Sequence, residues 1–209
     1  MLAVTSTSMT TTLWYTIRAT GVVALVLLTV TTVLGLLSSS RFRTRRWPAF
    51  AQVDLHRWAS LIALVFLGLH VVTAVVDTYV EVGVLSAVVP FVSPFKTFWT
   101  GLGTIALDLI LAVAVSSALR LRIPARTWRG IHWLAYACWP LALAHALGSG
   151  TDAGQLWMDA IAAFCSAAVC CALVCRIAAH RTDRQEQARV GAVTRAVPAT
   201  TRLLERNSR

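Results

Sequence analysis

The stretch LHRWASLIALVFLGLH, residues 55–70, places a histidine near each end of a run almost empty of polar groups. A second version, HWLAYACWPLALAH, follows at residues 132–145. An imidazole inside an apolar run is costly because its ring nitrogens need partners. What surrounds these two stretches decides what the histidines are for.

Of the 209 residues, 57% are hydrophobic and only 13% charged, and the mean hydropathy is +0.68. A soluble domain of this size could not hide so much apolar surface, and the long uncharged runs point to a bilayer. The formal charge of +10 does not indicate nucleic acid, because the arginines are confined to short segments between apolar spans, where they fix membrane orientation. Five spans can be marked, roughly at 13–37, 53–76, 98–119, 127–147 and 156–177, each near the ~20 residues a helix needs to cross. The first lacks a basic start and is too long for a signal core, so a cleavable signal peptide is not expected.

Arg41, Arg43, Arg45 and Arg46 lie between spans one and two; Arg120, Arg122, Arg126 and Arg129 lie between three and four; Arg176 and Arg181 follow span five. The opposite side carries Asp77, Glu81, Asp152 and Lys96. The positive-inside bias therefore predicts an all-α membrane protein: a bundle of five transmembrane helices with its N-terminus outside and its C-terminus in the cytoplasm. Trp14, Trp99 and Trp157 fall near the outer boundary and Trp47, Trp58 and Trp128 near the inner one, as an aromatic belt would. The expected location is the cell (plasma) membrane, multi-pass and surrounded by lipid. Residues 1–12 read as a short extracytoplasmic N-terminus and 13–180 as the membrane domain. Residues 181–209, with seven arginines and little apolar periodicity, read as a flexible basic cytosolic tail. The five cysteines, Cys138, Cys165, Cys170, Cys171 and Cys175, lie within spans and read as small buried side chains.

Four of the five histidines sit two per span in spans two and four, while His180 belongs to the cytosolic boundary. His56 and His70 are 14 residues apart, about 21 Å along a helix and within roughly 40° of one face. His132 and His145 are 13 apart, about 20 Å. Spans two and four run in the same direction, so His56 is level with His132 and His70 with His145. Two ligands at one level cannot complete a tetrahedral zinc site. A haem brings four nitrogens of its own and asks only for axial ligands, so two tiers of two imidazoles match two stacked bis-histidine haems. Iron with both axial positions filled is suited to passing electrons. One detail resists: 13 residues on an ideal helix put His132 and His145 about 140° apart in azimuth. Pro140 lies between them, and a proline distortion there is expected to turn both rings inward.

These paired stretches, WRGIHWLAYACWPLALAH in span four and LHRWASLIALVFLGLH in span two, resemble the ferric reductase-like transmembrane domain. That haem-binding membrane core is shared by ferric reductases, NADPH oxidases and the haem subunit of the bacterial periplasmic methionine-sulfoxide reductase system. YTIRATG in span one and GLGTIALDLILAVAVSSALR in span three also look like bacterial members, so the resemblance covers about residues 13–178. It implies haem b, two per chain, with His56, His70, His132 and His145 as iron ligands. The oxidases continue into a flavin and nicotinamide domain. The tail here is too short for one, so no FAD or NAD domain is expected in this chain and a separate flavoprotein or quinol would donate electrons. The implied acceptor lies outside: ferric iron or a partner reductase. GLGTIA at 101–106 opens a membrane span with no strand before it, so it is not read as a dinucleotide fingerprint.

Haem propionates want cationic partners at the bilayer edge. Arg57 and Arg129 are candidates at the inner level, with simple membrane anchoring as the plain alternative. Arg18 lies inside span one near its outer end, where the positive-inside bias gives no reason for arginine and pairing with an outer propionate or with Asp108 explains it better than outward snorkelling does. Lys96 is a weaker candidate there. Asp108, near the middle of span three, reads first as a structural pairing and second as a proton group. The connection 78–96 either caps the outer haem or lies on the membrane. Two other function classes stay open: a metal or haem transporter with stepping ligands, and a cofactor-free accessory membrane protein whose histidines bond helices together.

Overall fold

The computed structural model describes the backbone of residues 2–39, 49–77 and 82–207, and the side chains of 11–38, 50–77, 82–182 and 184–189. Arg41, Arg43, Arg45, Arg46, Trp47, Glu81 and the side chains of the distal tail lie outside that description. Seven helices follow in order: α1 (Leu2–Ser39), α2 (Ala49–Val76), α3 (Gly83–Ser86), α4 (Thr97–Ala118), α5 (Ala125–Trp133), α6 (Ala135–Ser149) and α7 (Leu156–Asn207). No strand occurs among the described residues. This is what a bilayer demands, because only a structure that satisfies its own backbone can cross hydrocarbon. Even the hydroxyls of α1 are satisfied locally: Thr16, Thr20, Thr29, Thr32 and Ser38 each donate to the carbonyl four residues back.

Among the described residues four helices are long and apolar enough to cross a membrane: Thr11–Ser38, Phe50–Val76, Thr97–Ala118 and Leu156–Arg189. The fifth expected span, 127–147, is divided instead into α5 and α6, of 9 and 15 residues. The division is one tight turn at Leu134 (φ −63°, ψ −22°). There Leu134 N–H donates to Ile131 O and Ala137 N–H to Leu134 O, both three residues back, in 3₁₀ fashion. The expected distortion at Pro140 is thus displaced: Pro140 lies inside α6, and the break comes six residues earlier. The helix of α7 continues through residues 181–207, the stretch whose composition reads as a tail.

Helix α1 is the hub, packing on α2, α6 and α7, while α4 packs on α5 and α6. Buried Trp139 Nε1 donates to Thr29 Oγ1 and ties α6 to α1 at mid-depth. Thr104 Oγ1 donates to Ser86 O and ties α4 to α3, and Arg176 donates to the Tyr136 hydroxyl between α7 and α6. The fully buried core is thin, with Cys138 and Cys165 the most enclosed side chains. Large apolar groups such as Val65, Val72, Phe164 and Val174 instead face outward, which is a liability in water and ordinary in lipid. All five cysteines are free thiols.

Helix α2 rests chiefly on α1, and between it and the α4–α6 wall runs a cavity of about 1080 Å³. Leu25, Leu28, Leu64, Leu67 and Ile110 line its middle. Trp14, Arg18 and Asp152 line one end, and Asp54, Arg57, Arg120 and Trp128 line the other.

Candidate functional site: two facing imidazole pairs

All four intramembrane histidines line this cavity, and the structure brings them together as two pairs. The ring centres of His56 and His132 are 6.3 Å apart with planes inclined by 70°. Those of His70 and His145 are also 6.3 Å apart, inclined by 79°. Equal spacing in two independent pairs constrains what can sit between them. Two imidazoles bound to opposite sides of one metal at about 2 Å, with ~1.15 Å from each nitrogen to its ring centre, have centres ~6.3 Å apart. A bent tetrahedral approach would draw the centres in to about 5.2 Å. A direct ring-to-ring hydrogen bond of about 3 Å would give ~5.3 Å. The observed separation is wider than a direct ring-to-ring hydrogen bond and leaves room for an atom between the two rings.

The rings are oriented from behind. His56 Nδ1–H donates to Thr31 O at 3.0 Å, His70 Nδ1–H to Ile17 O at 2.9 Å and His145 Nδ1–H to Trp99 O at 2.9 Å. With Nδ1 protonated, the Nε2 lone pair is the free one, as a metal ligand requires. Each accepting carbonyl belongs to a helix and takes the imidazole as an added donor, and Ile17 O also accepts from Thr20 Oγ1 at 3.2 Å. Each also lies four residues before a glycine: Ile17 before Gly21, Thr31 before Gly35, Trp99 before Gly103. A side chain in a helix leans over the turn that precedes it, so glycine at that place leaves the carbonyl bare. The glycines also make room. A Cβ on Gly103 would come within 2.5 Å of the His145 ring and one on Gly21 within 2.9 Å of His70, whereas one on Gly35 would stand 3.6 Å from His56. His132 differs: among the described residues its Nδ1 is buried without a partner, and the ring stacks on Trp128 at 5.1 Å and 27°.

The cationic candidates separate by place. Arg18 lines the cavity beside the His70/His145 pair, but its guanidinium is engaged by the Asp152 carboxylate in a bidentate ion pair and lies 4.0 Å over the Trp14 ring. The expected pairing of Arg18 with Asp108 is therefore corrected. Asp152 reaches Arg18 because the turn after α6 comes back to α1, while Asp108 is on an exposed face of α4 outside the cavity lining. Lys96 donates to Gly148 O and does not line the cavity. Arg57 lines the cavity at the His56/His132 end and Arg120 joins it there, whereas Arg129 is exposed and outside the lining. From the 78–96 connection, Val82, Ser86, Ala87 and Phe95 form part of the cavity wall. His180 is exposed on α7 and takes no part. Sequence reading missed Arg120, Asp152, Trp128 as a ring partner, and the three glycines. Among the described residues no group of three or more His, Cys, Asp or Glu side chains is placed to hold a metal ion.

Residues 20–143 match the family described as ferric reductase like transmembrane component. The chain belongs to this family. The matched stretch is more than half of the sequence and takes in Gly21, Gly35, His56, His70, Gly103 and His132, ending two residues before His145. No curated protein and no solved structure matches the chain. As a ferric reductase-like transmembrane domain the protein is a membrane component of electron transfer.

Proposed function

We propose that this ferric reductase-like protein is a membrane b-type cytochrome, binding two haems between α2 and the α5–α6 segment and carrying electrons across the bilayer. The observation that carries the proposal is the pair of 6.3 Å ring separations at two depths of one cavity. The donor set fits the group, since each level offers two facing imidazoles, three of the four with Nδ1–H engaged and Nε2 free, and no further metal-binding side chain among the described residues. When bound, haem supplies one-electron iron chemistry.

The chain's own residues hold and shape that chemistry. His56 with His132, and His70 with His145, would hold the two haems; carbonyls behind three of them fix tautomer and ring plane. The apolar middle of the cavity keeps water from the path. Arg57 and Arg120 are placed for carboxylates at one end, and Arg18 at the other, with Arg129 a more distant candidate. We take α5 and α6 together as a fifth span, with the N-terminus outside and the C-terminus cytoplasmic by the arginine distribution. Electrons would then enter at the cytoplasmic His56/His132 level from a separate flavoprotein or quinol. They would leave at the His70/His145 level to ferric iron or a partner reductase outside the plasma membrane. A transporter with stepping ligands would want further metal-binding side chains beside the pairs, which the described residues do not supply.

The test is an absorption spectrum of the purified protein with haem quantified per chain. Two haems with a b-type reduced-minus-oxidised signal are expected, and His70→Ala or His145→Ala should each remove one of them. A featureless visible spectrum overturns the reading.

A further inference from the structure

Three of the four pair-forming imidazoles have their outer nitrogen held by a bared helix carbonyl, and one does not. We infer that Trp128 is the positioning residue for His132, holding the ring by its face where a carbonyl holds the other three at Nδ1, and that the His56/His132 site is in consequence the softer of the two. The inference rests on the haem reading above and goes further, because it ranks two sites that the sequence presents as equals.

Trp128 precedes His132 by one turn of α5, so the two side chains share a face. Their rings stack at 5.1 Å and 27°, and no comparable stack supports the other three histidines among the described residues. A stacked indole fixes the plane of the imidazole and blocks its tilt. It offers no acceptor to Nδ1–H, and among the described residues the indole's own Nε1 is buried without a partner as well. Helix α5 packs on α4 and α6, and neither supplies the bare carbonyl that Ile17, Thr31 and Trp99 supply elsewhere. A hydrogen bond at the outer nitrogen does two things for a ligating histidine: it locks the tautomer and makes the metal-facing nitrogen more basic. Without it, ligation weakens by about 10–100-fold in metal sites, and a less basic ligand favours the reduced metal.

Both consequences are measurable without any turnover assay. The wild-type membrane protein, solubilised with its haems, is mixed with excess apomyoglobin and haem departure is followed by absorbance. Two phases of equal amplitude are expected, the faster by about tenfold or more. The His70→Ala variant, retaining only the softer site, should show the fast phase alone. Trp128→Phe should keep the fast phase near its wild-type rate, while Trp128→Ala should accelerate it several-fold or empty that site. In a redox titration the faster-leaving haem should also have the higher midpoint potential. A protein that carries a single haem still decides the matter. Retention of that haem in His132→Ala supports the inference, and its loss there with retention in His145→Ala overturns it. Equal release of both haems from wild type, with Trp128→Ala indistinguishable from Trp128→Phe, sinks the inference and leaves the cytochrome reading standing. Absence of haem from wild type sinks that reading itself.

Discussion

Helices α2 and α5–α6 do the same work by different means. α2 presents His56 and His70 from 28 residues of unbroken helix, because a spacing of 14 brings the chain back nearly to the same face. The facing wall has a spacing of 13, which a straight helix would turn away by about 140°, yet both of its rings meet their partners at the same 6.3 Å. The tight turn at Leu134 stands between the two. Regular geometry is enough when the arithmetic of the repeat allows it; where it does not, the backbone carries a local defect in exchange.

The largest test of this contrast changes the count on each side by one. An alanine inserted in α2 between Leu61 and Ile62 rotates His70 by about 100° relative to His56, so loss of one haem per chain is expected. The same insertion after Leu134 gives the other wall a spacing of 14, and both haems should remain. Haem stoichiometry reads the result, and equal loss from the two insertions would break the comparison. A smaller, graded effect is expected from the glycines. Gly103→Ala forces a Cβ within 2.5 Å of the α6 histidine and should displace most of its haem. Gly21→Ala at 2.9 Å should weaken binding by a more modest factor, and Gly35→Ala at 3.6 Å should be close to wild type. The order of thermal haem release among the three variants checks this series. The smallest effect should come from Pro140→Ala. Because the break lies at Leu134, the variant should keep both haems, with an unchanged spectrum and a melting temperature no lower than wild type. Loss of the His70/His145 haem would return the distortion to the proline.

Much of this was legible beforehand, for a physical reason. Apolar runs of bilayer length, loops sorted by arginine and two histidines at matching depths are local signals, and parallel spans convert spacing directly into level. The orienting contacts were not legible, because a backbone carbonyl has no letter in the sequence. The glycines at 21, 35 and 103 are their only trace, and GLGTIA could as readily be set aside as a chance fingerprint. Arg18 was legible as unusual but not by partner: Asp152 is 134 residues away along the chain and meets it only through the turn after α6. Pro140 drew attention to itself, whereas the 3₁₀ turn at an ordinary leucine had no residue to announce it.

The vertical gap between the two pairs has an energetic meaning beyond distance. His56 and His70 stand about 21 Å apart along α2, roughly two thirds of a ~30 Å hydrocarbon layer. In the proposed orientation, a negative charge moved between those levels travels outward through most of the transmembrane voltage. With the cell interior at −100 mV, the field would contribute roughly 1.6 kcal/mol to that transfer, about tenfold or slightly more in its equilibrium. The resting membrane itself would thus act as a rectifier, favouring export of electrons over their return.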